Sequence, residues 1–174
     1  MRYDVQVSFS YDYAVYDLKS NSKIILTYYM LLDDDGKCPF LTGFNRCLIH
    51  DVYKPLVCRS FPYVPSEVRY FYNTNVKLLF HRSKYGLSSA CKFIKTYKEY
   101  IDSKLSQDPH FLYKFARASL EAARSLEELR TKYLSTLSSL WRLGLVELIF
   151  ENHSGGIPCD AYTFIRRFIP YFTL

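Results

Sequence analysis

Three cysteines crowd into the stretch "KCPFLTGFNRCLIHDVYKPLVCRSFPYVP": Cys38, Cys47 and Cys58. Thiolates are the ligands that hold zinc and iron–sulfur clusters, typically four together, presented from turns where the backbone wraps the ion. The setting suits that chemistry. Cys38 follows "DDDG" and precedes Pro39, Cys47 follows "TGFN", and Cys58 comes after the break at Lys54 and Pro55. Cys91 supplies a fourth thiolate, with Cys159 as the other candidate. Two readings compete with a metal site. Cysteine outside disulfides is among the most buried residue types, so these residues serve equally well as core. A disulfide such as Cys47–Cys58 is the third reading. Paired C-x-x-C knuckles, the commoner zinc signature, are absent from the chain.

The compartment decides between thiol and disulfide. The start "MRYDVQVSFSYDYAVYDL" has neither a basic leader nor a sustained apolar run. The longest apolar stretch, "IILTYYMLL", is too short to span a bilayer. A cytoplasmic protein with reduced thiols is expected, and five cysteines, an odd number, fit a complete disulfide framework poorly. The formal charge of +6 invites a nucleic-acid reading, but the excess is spread along the chain without a basic block. No strong nucleic-acid signal follows from it.

The elements that must position the cysteines can be read from periodicity. "YDVQVSF" alternates Val5, Val7 and Phe9 with polar residues, as a half-buried strand does. "YDYAVYDL" is expected as a short helix and "SKIILTYYMLL" as a buried strand. "SEVRYFYN" and "NVKLLFHRS", joined across "NTN", predict a hairpin with Val68, Tyr70 and Tyr72 on one side. Ser88 or Ser89 caps the next helix, whose apolar positions are Phe93, Ile94, Tyr97, Ile101 and Leu105. That places Cys91 in a first helical turn, where unpaired backbone N–H groups favour a thiolate. Asp108 and Pro109 open a long helix over 109–142, with an apolar stripe from Leu112 to Trp141. Ser125 and Glu128 form a capping box that would split it in two, and Gly144 ends it. "LVELIFE" is expected as a strand or short helix, "HSGGIPCD" as a loop, and "AYTFIRRFIPYFTL" as an aromatic segment packing back on the body. The fold class is therefore α+β, a strand-and-hairpin cysteine domain over 1–106 followed by a helical region over 107–174.

The string "CPFL" followed by "CLIHDVYKPLVCRSFPY" resembles the core of the YkgJ-like cysteine-cluster family of zinc- or iron-chelating proteins. The matching positions are Cys38, Pro39, Phe40, Leu41, Cys47, Ile49, His50, Lys54, Pro55, Cys58, Arg59, Phe61 and Pro62, and Cys91 matches a later family cysteine without its usual Pro-Gly. The resemblance covers roughly residues 1 to 95. It implies metal ligation by Cys38, Cys47, Cys58 and Cys91, with zinc, iron or an iron–sulfur cluster as the cofactor. Family members also carry a dense C-x-x-C-x-x-C-C cluster ahead of the first strand, whereas this chain has no cysteine before Cys38. Either those ligands are lost or they lie upstream of Met1.

The expected function is metal binding. An iron–sulfur enzyme, oxidoreductase or protein-modifying, is one alternative, although neither a Ser/His/Asp arrangement nor a nucleotide fingerprint supports it. A metal-free interaction module is the other. His50 sits three positions after Cys47 and reads as a packed or exposed residue rather than a ligand. His81, His110 and His153 read as surface residues, and Arg59 either steadies a thiolate or forms a salt bridge. The aromatics and cations interleaved in "EVRYFYN" can stack on single-stranded bases but read first as two faces of a hairpin. The 109–142 helix offers small residues, Ala116, Ala118, Ala122 and Ala123, to a protein partner or a second copy.

Overall fold

The computed structural model describes residues 7–9, 14–26, 28–30, 38, 40–44, 46–50, 54–108, 110–150 and 156–173. The architecture is α+β. The chain divides into two compact units, and each is entered more than once: the first comprises Met1–Asp51, Tyr72–Leu79 and Tyr133–Leu174, the second Val52–Phe71 and Phe80–Lys132.

In the first unit, β1 (Val7–Phe9) pairs antiparallel with β4 (Tyr28–Met30). A separate four-stranded sheet contains β2 (Ala14–Asp17), β3 (Ser22–Ile25), β7 (Leu148–Ile149) and β8 (Ile157–Asp160) in the order β7-β2-β3-β8. The expected helix at "YDYAVYDL" is thus a strand over its described part. Val15 and Tyr16, β-branched and aromatic, are buried against β3 in antiparallel register with Ile24 and Lys23. The four-residue turn between the strands uses Asn21 at φ 49°, the left-handed region Asn tolerates. The run "SKIILTYYMLL" is divided between β3 and β4 rather than forming one strand. β8 lies in the stretch read as a loop and pairs parallel with β3. As an edge strand it accommodates Pro158, which cannot donate to a ladder. Helix α5 (Ala161–Arg166) follows, capped by Asp160, whose carboxylate accepts from the Thr163 N–H at 2.8 Å. Its Phe164 and Ile165 are completely buried, as the aromatic tail requires.

In the second unit, α1 (Leu56–Ser60) is a single turn entered at Pro55. A long hairpin, β5 (Tyr63–Asn73) and β6 (Leu78–Leu87), whose tip Tyr72–Leu79 is counted with the first unit, matches the expected one but extends further at its open end, and β6 begins at Leu78 rather than at Asn75. The predicted helix after Ser88 is two pieces, α2 (Lys92–Thr96) and α3 (Lys98–Gln107). Ile94 and Ile101 are buried, but Phe93 and Tyr97 are about half exposed, so the apolar stripe is only partly used. Helix α4 (Phe111–Arg142), counted with the first unit from Tyr133 on, has its break at Ala116, with φ −135° and ψ 39°, and not at Ser125. Ser125 directs its hydroxyl to the Glu121 carbonyl at 3.1 Å instead of capping a new helix. The Asp108 carboxylate accepts from the His110 N–H at 2.8 Å, but Asp108 is the C-cap of α3 and α4 begins only at Phe111; Pro109 lies outside the described residues. The end of α4 leads to Gly144 at φ 69°, the conformation that stops a helix most cheaply. Among the described residues no helix is long and apolar enough to cross a membrane.

Candidate metal-binding cysteines

Cys38 and Cys47 belong to the first unit and share one tight loop. The Leu41 N–H donates to the Cys38 carbonyl at 2.9 Å, and Leu41 forms an antiparallel bridge with Cys47. Thr42 N–H to Arg46 O and Leu48 N–H to Phe40 O, both 2.8 Å, close the loop further. The Thr42 hydroxyl accepts from the Phe44 and Arg46 N–H groups at 3.3 and 3.1 Å, so the turn is held by its own side chain. Local bonding of this kind needs few residues, and Thr42 followed by Gly43 supplies it within one short segment.

Cys58 and Cys91 belong to the second unit. Cys58 lies in α1, its N–H donating to the Pro55 carbonyl at 2.9 Å. Proline starts this turn well because its φ is preset and its missing N–H is not needed there. Arg59 is exposed and forms no ion pair among the described residues. Cys91 is the N-cap of α2, one position earlier than the first helical turn expected for it. Neither Ser88 nor Ser89 caps α2, and Ser88 instead accepts from the Ala90 N–H at 3.3 Å. With five residues α2 sums few peptide dipoles, which weakens the argument for a thiolate there.

These four cysteines are all half-buried, and none of the chain's five cysteines is in a disulfide. Cys159 differs. It is buried in β8, with the Arg167 guanidinium donating to its sulfur at 3.3 Å. Burial pushes its thiol above the usual range, and the Arg167 charge only partly opposes this. His50 is exposed, as expected. His153 and the "DDDG" turn lie outside the described residues. Among the described residues, no three His, Cys, Asp or Glu side chains come together as a metal ion requires. The donor types fit zinc or iron, and their arrangement does not.

What sequence reasoning missed is a polar cluster under the hairpin. His81, read as a surface residue, has a side chain only 8% exposed, and its Nε2 lies 2.8 Å from Glu127 Oε2. The inward alternation of β6 at Leu79 and His81 explains this burial. The other carboxylate oxygen accepts from the Tyr85 hydroxyl at 2.8 Å and from the Arg130 guanidinium. Burial works against the Glu127 charge, but hydrogen bonds from neighbours including His81 and Tyr85, with the Arg130 charge, hold its carboxyl below the usual range. Tyr85 is pushed up to about 12, first by burial and then by its bond to Glu127. The i, i+3 pair Glu127 and Arg130 on one helix face was the available signal.

Also in the second unit is a pocket of about 420 Å³, walled by Tyr63, Leu87, Ile94, Ile101, Leu105 and Leu112, with Lys95, Lys98 and Asp102 adding polar groups. Cys58 and Arg59 are not among its walls. Compared with family models, with curated proteins and with solved structures, the chain matches none.

Proposed function

We propose that this chain is a cytosolic thiolate metal-binding protein of the cysteine-cluster kind, with Cys38, Cys47, Cys58 and Cys91 as ligands of zinc or iron. The supporting observation is a contrast in burial. Cysteines kept for packing belong among the most buried residues, and Cys159 behaves that way. The four cysteines of the motif do not: each is half-buried, and each sits in a tight loop or in or beside a one-turn helix. Because no three ligands are gathered among the described residues, the reading requires that ion binding and ligand assembly occur together, as in other thiolate sites coupled to folding.

Elemental analysis with an absorption spectrum, on protein purified without oxygen, tests the proposal. Stoichiometric zinc without colour, or iron with broad visible absorption, is the expected result. Cys58→Ser then lowers metal content and stability together. Full metal content in that variant removes Cys58 from the ligand set, and a metal-free protein with all its thiols titratable ends the reading.

A second reading, an interaction module without metal, draws on the apolar pocket of the second unit. Its volume of about 420 Å³ lies within the range of small-ligand sites. Binding of apolar probes that Leu112→Trp blocks, in protein shown to lack metal, would favour it.

A further inference from the structure

The outer face of the hairpin carries chemistry that the cysteines do not use. Successive side chains of a strand point to opposite faces. In β6 this sends Phe80, Arg82 and Lys84 outward, all exposed, and in β5 the matching exposed set is Glu67, Arg69 and Phe71. The rings of Phe71 and Phe80 stack at 5.1 Å and 15°, and on the other face Tyr70 meets His81 at 6.3 Å. Arg69 and Arg82, with Glu67 and Lys84, are exposed on the same side as the stacked rings. A surface hollow of about 470 Å³ is lined by Glu67, Arg69, Phe71, Arg82, Ser83 and Lys84.

Two properties of this face point to one kind of ligand. The stacked pair stays in contact with solvent, Phe71 at 38% exposure and Phe80 at 45%. Beside it three cations meet a single carboxylate, Glu67, which pairs with Arg69. Arg82 and Lys84 form no ion pair among the described residues. Arg69, Arg82 and Lys84 line one hollow with a single carboxylate, and like charges close together on a sheet face repel, so this cluster gains from a bound anion. The aromatic rung lies two residues further along the same face, roughly 7 Å away at strand rise. An exposed base next to a phosphate presents the complementary pair, and a single strand repeats it along its length. In a duplex the base faces are stacked away from such a platform.

We propose that this hairpin face binds single-stranded nucleic acid, with Phe71 and Phe80 as the stacking platform and Arg69, Arg82 and Lys84 as phosphate contacts. The assignment is independent of the metal reading. The test is fluorescence anisotropy with labelled oligo(dT) and oligo(U) of about 10 nucleotides, on the full chain, in salt from about 50 to 200 mM. Wild-type protein binds both oligonucleotides, more weakly as salt rises. Phe71→Ala and Phe80→Ala each lose roughly fivefold to a hundredfold in affinity, and Arg82→Ala reduces the salt slope by about 0.7. Phe71→Leu, which keeps an apolar side chain without a ring, separates stacking from simple surface coverage and is expected to lose nearly as much as Phe71→Ala. Circular dichroism checks that each variant is folded. Absence of binding at the lowest salt overturns the proposal, as does binding that folded Phe71→Ala and Phe80→Ala variants retain in full. Self-association of the wild-type chain that Phe71→Ala abolishes, without oligonucleotide binding, would assign the face to a second copy instead.

Discussion

The two units spend their apolar side chains differently. In the first, Val15, Ile24, Ile25, Leu137, Val146, Leu148, Phe164 and Ile165 are essentially removed from water. The second contributes only Ile101 and Ser60 to the most completely buried residues described; both units leave large apolar groups exposed, Phe44, Leu143, Ile157 and Tyr171 in the first and Phe71, Phe80, Phe93 and Tyr97 in the second. The polar interiors differ too. Asp17, buried in the first unit, is satisfied by backbone donors, two from its own turn and one from Glu147, whereas the cluster in the second unit is built from the long side chains of His81, Glu127, Tyr85 and Arg130. Burial of large apolar groups is what stabilises a fold most, so the first unit reads as the stable frame. Aromatics left in water gain little for stability, and in the second unit the exposed pair Phe71 and Phe80 lies beside cations, which is what the surface proposal uses.

The largest effect that can break this comparison is Phe164→Ala. The side chain is fully buried, with Phe168 at 5.4 Å and the Arg167 guanidinium over the ring at 5.6 Å. Truncation is expected to cost about 3–5 kcal/mol from lost transfer energy and the cavity left behind, read as a lower urea midpoint. The matched change in the second unit, Phe80→Ala, is expected within about 0.5 kcal/mol of wild type, as for exposed positions generally. Equal losses would remove the distinction. Asp17→Ala comes next. Its carboxylate accepts from the N–H groups of Glu147 at 2.8 Å, Ser20 at 3.1 Å and Lys19 at 3.3 Å. Leaving such donors unpaired costs about 2–3 kcal/mol, and Asp17→Asn, which keeps one acceptor oxygen, should recover part of it. A full loss in both variants would assign the effect to the charge rather than to the hydrogen bonds.

How much of this was legible depended on whether a local rule set the outcome. The hairpin could be read because alternation around "NTN" leaves one register with Val68 and Tyr70 inward. The long helix was legible from its 3.6 period, but its break is not, since nothing local to Ala116 demands a non-helical φ. At residues 14–17 the pattern Ala-Val-Tyr-Asp suits either element, and pairing with β3 and β7 decides for a strand. β8 could not be found from "GGIPCD", because what makes it a strand is a parallel partner more than a hundred residues earlier. The cysteines illustrate the same limit. Their spacing places two in one loop and two at short helices, but ligand geometry depends on how loops close in three dimensions, and that no spacing rule specifies.

The smallest of these effects separates a polar cluster that stabilises from one that merely fits. The carboxyl of Glu127 is held below its usual 4.5 in the folded chain. A depressed carboxyl adds stability that is fully present above the unfolded value and is lost as pH falls through the folded one. Glu127→Gln should therefore cost about 1–2 kcal/mol near neutral pH, kept modest because the carboxylate is partly exposed. The gap between variant and wild type should narrow as pH drops below 4.5, measured as urea midpoints across the acid range. Phe164→Ala provides the control, since its deficit comes from packing and should not follow the protonation of Glu127. A gap for Glu127→Gln that stays constant into acid would mean that His81, Tyr85 and Arg130 respond to the shape of the side chain and not to its charge. The cluster would then contribute to the second unit by fit and not by charge.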